Sequence, residues 1–172
     1  MIPISSAISG GLTWTKISCW SGSHELRLNN ETVATLQRPS IWSSSYVAET
    51  QEGSWKFRRG GFLGTGAEIV DPVSNQPIAT FKSGWGTAGT LIFADGQIFH
   101  VTCKGWWRPV WTLSTDSGQP VLHLHAREQS VDLASVSAMP QERLSLLILF
   151  ALYRVLQAEE DAAAGAVVAA VS

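Results

Sequence analysis

The chain is 172 residues long, the length of one domain, and its 26 charged residues (12 Lys+Arg, 14 Asp+Glu) make up 15% of it, against roughly 25% in an ordinary soluble domain. A hydrophobic share of 45% excludes a disordered chain, a net charge of −2 excludes nucleic-acid binding through overall basicity, and two Cys exclude a disulfide scaffold or a four-Cys zinc site. Eight Trp are the feature out of line.

The first residues, Met1-Ile2-Pro3-Ile4-Ser5-Ser6-Ala7, have no basic n-region and no long apolar run, so they do not read as a signal peptide. The expectation is a cytoplasmic protein, peripheral to a membrane if it meets one, with Cys19 and Cys103 as free thiols in a reducing compartment. Asn30-Glu31-Thr32 is a glycosylation sequon in form, read here as a turn.

Short alternating segments then follow one another. Strands are predicted over 12–17, 24–29, 31–37, 41–49, 54–59, 65–70, 77–82, 89–94, 97–103, 106–113, 120–126 and 131–137. Asn29-Asn30, Asp71-Pro72, Asp95-Gly96 and Asp116-Ser117-Gly118 supply the turn chemistry between them. The segments repeat in pairs: Val33-Ala34-Thr35-Leu36-Gln37-Arg38, Ile78-Ala79-Thr80-Phe81-Lys82 and His100-Val101-Thr102-Cys103-Lys104 each end in a base and lead to Trp42, Trp85 or Trp106-Trp107. Trp14, Leu36, Phe57, Phe81, Cys103 and Leu124 mark equivalent points of six hairpin-like units across 12–138. Closing twelve antiparallel strands into a barrel removes exposed edges.

After Pro140 the pattern becomes helical. Pro suits a first helical turn, and Leu144-Ser145-Leu146-Leu147-Ile148-Leu149-Phe150-Ala151-Leu152-Tyr153-Arg154-Val155-Leu156 is apolar on every side, which demands burial. This stretch is about 20 Å long, short of a ~30 Å hydrocarbon core, so no transmembrane span is predicted. A barrel of more than about eight strands cannot be filled by its own side chains. The fold expected for residues 1–172 is therefore a single-domain, mainly β, closed twelve-stranded antiparallel barrel around a central helix at 141–158, with an Ala/Val-rich tail at 161–172.

The paired strands, with Ile78-Ala79-Thr80-Phe81-Lys82 following a Ser74-Asn75-Gln76-Pro77 turn, and the helix Leu144–Leu156 resemble the tubby C-terminal-like barrel over about residues 12–158. That group comprises tubby proteins, phospholipid scramblases and LURP-one-related proteins, and the chain is most similar to the compact LURP-one-related type. The resemblance implies a binding module, with phosphoinositide or other anionic-lipid recognition as its known use. No lipid-binding motif of the family matches position by position.

Other motifs carry little chemistry. Gly84-Trp85-Gly86-Thr87-Ala88-Gly89 has the G-x-G-x-x-G form, but a predicted strand follows it where a dinucleotide site needs a helix. Gly60-Gly61-Phe62-Leu63-Gly64-Thr65-Gly66 lacks the Lys-Ser/Thr of a P-loop. His123 and His125 share one strand face, two ligands without a third. No nucleophile elbow and no spaced carboxylate pair occurs, so no enzyme, cofactor or metal is expected.

The bases are more informative. Lys16, Arg38, Arg58, Arg59, Lys82, Lys104 and Arg127 recur at one phase of the units, so alternating strand direction gathers them on one rim with the Trp residues that follow. Cations beside Trp form the composition of a membrane-interface belt. The candidate lipid-binding residues are Lys56, Arg58, Arg59, Lys82, Lys104, Arg108, Trp85, Trp106 and Trp107. The opposing expectation is that these Trp rings open strands and point inward onto the helix. The expected function is a non-enzymatic module recognising anionic lipid headgroups at a membrane surface. The alternative is a protein-interaction or regulatory adaptor without a lipid role, and, further down, a carrier of a small apolar ligand.

Overall fold

The computed structural model describes residues 1–4, 11–17, 22–40, 42–60, 66–134 and 139–171, with side chains to residue 166. Period-two alternation produces the strands β1 (Leu12–Lys16), β2 (His24–Leu28), β3 (Glu31–Gln37), β4 (Ser45–Thr50), β5 (Ser54–Gly60), β6 (Gly66–Val70), β7 (Pro77–Ser83), β8 (Gly89–Phe93), β9 (Ile98–Lys104), β10 (Val110–Thr115), β11 (Pro120–His125) and β12 (Ser130–Leu133). Each pairs antiparallel with its neighbours, and β1 pairs with β12, with Leu12 opposite Val131, to close the barrel. Inward positions carry the apolar side chains. Across the seams Trp14 lies opposite Leu26, Leu36 opposite Ala48, Phe57 opposite Ile69, Phe81 opposite Leu91, and Trp111 opposite Leu124.

One helix, α1 (Gln141–Val171), runs through the lumen. It enters where the Leu144 N–H donates to the Pro140 carbonyl (3.0 Å) and Arg143 pairs with Asp95 (2.7 Å) while lying 3.8 Å from the centre of the Phe93 ring. Leu146, Leu147, Ile148, Leu149, Phe150, Leu152 and Val155 are buried on all sides of it, which explains a helix without a polar face. The Phe150 ring meets Phe57 (6.1 Å) and Phe81 (5.5 Å), and Tyr153 stacks on Phe57 (5.4 Å) and meets Tyr46 edge-on (5.7 Å). The barrel is thus a shell around a solid core, as its strand number requires.

The structure departs most from the sequence expectation at three boundaries. Strand β4 begins at Ser45 rather than 41, because the Ser43 N–H turns back to the Ser40 carbonyl (3.0 Å) and the Ser43 hydroxyl accepts from the Ser45 N–H (3.1 Å). Strand β10 begins at Val110 rather than 106, because Gly105 takes a φ of 83° and Pro109 has no N–H for a ladder. The helix continues through the Ala/Val-rich tail instead of ending at 158, since Ala sustains a helix already nucleated inside the barrel. The last part of the expected twelfth strand, 135–137, falls outside the described residues.

The two ends of the barrel differ. At the turn rim, odd-numbered strands begin after tight connections such as Asn29-Asn30, with φ of 50° and 70°, and the Asp71 turn, whose carboxylate accepts from the Val73 and Ser74 N–H groups (3.0 and 2.6 Å). At the other end, the loop rim, connections fall at 17–23, 38–44, 61–65, 84–88, 105–109 and 126–129. Residues 18–21, 41 and 61–65 of these lie outside the described residues.

Candidate functional site

The loop rim carries most of the exposed large apolar side chains of the described residues. Trp42, Trp85, Trp106 and Trp107 are 91%, 98%, 91% and 65% exposed, and Ile17 beside them is 50% exposed. Trp85 sits in a loop closed by the Gly84 N–H on the Ala88 carbonyl (2.8 Å), with Gly86 at a φ of 64°. Trp106 and Trp107 meet edge-on at 5.5 Å, directly after Gly105. These rings belong to loops and not to strand openings, so nothing turns them inward, and the inward expectation is corrected for all four. Trp14, Trp55 and Trp111 fill the core instead. Trp20 lies outside the described residues.

The candidate cations separate into three groups. Lys82 and Lys104 end β7 and β9 facing outward on the loop rim, and neither is ion-paired among the described residues. Arg108, in the loop after β9, reaches Glu128 only at 3.7 Å, and Arg127 lies over the Trp107 ring (5.4 Å). Arg58 and Arg59 are engaged elsewhere: Arg58 pairs along the outer wall with Glu68 (2.7 Å), and Arg59 turns inward to Asp161 (2.7 Å). Lys56 lies opposite Val70, the last residue before the Asp71 turn, which puts it toward the turn rim and away from the others. Its place near the start of β5 puts it there, and outward alternation gives it the same wall as Arg58 but not the same rim.

Inside the mouth of the loop rim lies a cluster of side chains that the repeat pattern does not reveal. Glu160, on the helix, accepts from the Tyr46 hydroxyl (2.5 Å) and from Arg38, which also donates to the Tyr46 oxygen (2.9 Å). Arg59 lies 3.8 Å from the same carboxylate. Burial, reinforced by Glu160, pushes the Tyr46 hydroxyl well above its usual range. Deeper in, Arg154 is buried, donates to Gln157 and lies 4.4 Å from the Phe81 ring centre, and burial lowers its proton affinity. The sequence signal for this cluster is the triplet Glu159-Glu160-Asp161 directly after an apolar helix. Such a triplet must meet whichever rim the helix leaves by.

The remaining candidates resolve into ordinary contacts. The 84–89 glycine segment is a hairpin loop followed by β8, as its sequence context suggests. Gly89 faces the lumen where a Cβ would stand 2.3 Å from the Phe81 ring, so glycine makes room for that ring. His123 bonds Thr112 (2.9 Å) and His125 bonds Asp132 (3.0 Å), each outward. No group of three His, Cys, Asp or Glu gathers among the described residues. Cys103 is half-buried with a thiol pushed up by burial, whereas Cys19 lies outside the described residues.

The helix occupies the lumen, and a groove of about 650 Å³ lies at the turn rim between Phe99, Asp116, Val121 and Pro140. Among the described residues no helix is long and apolar enough to cross a membrane. Compared with protein-family models, with curated proteins and with solved structures, the chain finds no match in any of the three.

Proposed function

We propose that the loop rim docks the protein, as a non-enzymatic peripheral module, on an anionic membrane surface at the cytoplasmic side. The observation that carries this is the co-location of Trp42, Trp85, Trp106 and Trp107, all exposed, with Lys82 and Lys104, not ion-paired among the described residues, on one rim. Leaving such rings in water is unfavourable, and the headgroup region is where an amphipathic ring is most at home. Each nearby cation adds about 1 kcal/mol at an anionic surface. Twelve strands around one helix also support placing the chain with the tubby-like barrels of LURP-one-related type.

Vesicle flotation tests the docking. The protein should float with phosphatidylcholine/phosphatidylserine vesicles and far less with phosphatidylcholine alone. Lys82→Glu with Lys104→Glu should lower partitioning at least about tenfold, and Trp85→Ala with Trp106→Ala should lower it on both vesicle types. Flotation unaltered by both pairs would sink the proposal. A protein partner is the second reading, favoured by Arg127 stacked on Trp107, since Trp and Arg dominate binding hot spots. It predicts no flotation at all.

A further inference from the structure

The helix does not stop where the barrel does. It is buried from Leu144 to Gln157, half-buried at Ala158, and exposed at every residue from Asp161 to Ala166, and its backbone stays helical to Val171. Its exit is set by Arg38 and Tyr46 on Glu160 and by Arg59 on Asp161, all at the loop rim. A helical segment therefore leaves the barrel at the rim that carries the exposed Trp residues. That segment, Ala162-Ala163-Ala164-Gly165-Ala166-Val167-Val168-Ala169-Ala170-Val171, holds no charge and no side-chain hydrogen-bonding group.

These residues span about 15 Å at roughly 1.5 Å each, half the ~30 Å hydrocarbon thickness, long enough to reach into one leaflet. A helix satisfies its own backbone groups apart from the carbonyls of its last turn, which is what lets the segment before that turn enter lipid. Of the three acids before it, which would oppose approach to an anionic surface, Glu160 and Asp161 are already engaged by Arg38 and Arg59, which leaves Glu159 alone against the rim's cations.

We infer that residues 162–171 enter the near leaflet of the bilayer on which the loop rim docks, as a short apolar stake beside the exposed Trp residues. The inference rests on the membrane docking proposed above, and its test separates the two.

An environment-sensitive fluorophore on Ala166→Cys, in a Cys19→Ala/Cys103→Ala background, reports where the stake lies on phosphatidylcholine/phosphatidylserine vesicles. Its emission should shift to the blue and be quenched by nitroxide lipids rather than by iodide, while the same label on Ser117→Cys at the turn rim stays open to iodide. In the native background, Ala163→Gln with Ala166→Gln keeps the helix and the net charge. It should lower partitioning at least about tenfold, because unpartnered amides are costly in lipid, and leave the melting temperature unchanged because the segment is exposed. A label open to iodide on vesicles that carry the protein, or partitioning unaffected by the Gln pair, overturns the stake and leaves the docking intact. A dimer in lipid-free light scattering that the Gln pair abolishes also overturns it, by assigning the segment to a second copy. Absence of flotation by the unaltered protein overturns docking and stake together.

Discussion

Glu160→Gln with Asp161→Asn should weaken the fold and tighten vesicle binding at once. Glu160 accepts from Tyr46 at 2.5 Å and from Arg38, and a hydrogen bond to a charged group contributes about 1.5–3 kcal/mol. The Glu160 side chain is 38% exposed, so water screens part of this, and Gln retains an acceptor for Tyr46. The Asp161–Arg59 pair, with Asp161 61% exposed, adds at most a few tenths of a kcal/mol to about 1. The double variant should therefore lose about 1–2 kcal/mol, and at ~2–4 °C per kcal/mol for a chain of this size its melting temperature falls by about 2–8 °C. Meanwhile the rim gains two units of positive charge as Arg38 and Arg59 lose their partners. At about 1 kcal/mol per cation this is ~2 kcal/mol, or roughly 30-fold tighter partitioning onto anionic vesicles. Thermal melts and vesicle sedimentation on the same samples check both signs, and high salt should erase the gain while removing from the loss only the share of the exposed Asp161–Arg59 pair. Partitioning that stays level or falls as the melting temperature drops would refute the assignment of these acids as the counterweight to the rim.

Two further predictions concern the core and the pH response. Phe150→Ala, at a fully buried ring that meets Phe57, Phe81 and Tyr153, should cost about 3–5 kcal/mol in urea unfolding; a loss under about 1 kcal/mol would mean the helix is not lodged between these rings. His24 is buried facing the lumen, and burial lowers its pKa from 6.5, helped by Lys16 and Arg38 and opposed by Gly22 and Glu160. The unfolded chain then binds the proton more readily, so stability is level above 6.5 and declines as pH falls below it. His24→Leu should flatten the melting temperature between pH 6.5 and 5, and an identical slope in both proteins would refute the assignment.

The barrel was legible because its determinants are local. Alternation decides which side chains face in, Asn29-Asn30 and Asp95-Gly96 decide the reversals, and an all-apolar helix can only be enclosed. Loop geometry was less legible. Trp106 reads as the first residue of an alternating run, and only the positive φ of Gly105 and the missing donor of Pro109 show that the run begins at Val110. Pairing across the lumen was not legible at all. Arg59 and Asp161 are 102 residues apart, and nothing in either neighbourhood names the other. The recurring bases gathered Lys82, Lys104 and Arg59 at one phase, but one-residue alternation aims the first two outward and the third at the helix. Lys56, taken with Arg58 and Arg59 as a cluster in sequence, is carried toward the opposite end by the ~3.3 Å rise of each strand residue.

That axial separation also reconciles a net charge of −2 with an anionic partner. Glu52, Asp71, Asp95 and Asp116 lie at the turn rim, and Lys82, Lys104, Arg108 and Arg127 at the loop rim, where Glu160 and Asp161 are engaged by Arg38 and Arg59 and the bases outnumber the remaining acids Glu128 and Glu159. Strands of four to seven residues separate the two ends by roughly 13–23 Å. At physiological ionic strength charges are screened over about 8 Å. A surface touching the loop rim is therefore within reach of the cations and beyond reach of the turn-rim acids, so the sum over the chain is not what that surface meets. The same separation orients the approach, since the acidic end is repelled before contact and the basic end is drawn in. Orientation matters more than attraction here, because only a molecule arriving loop rim first brings Trp42, Trp85, Trp106 and Trp107 to the headgroups together.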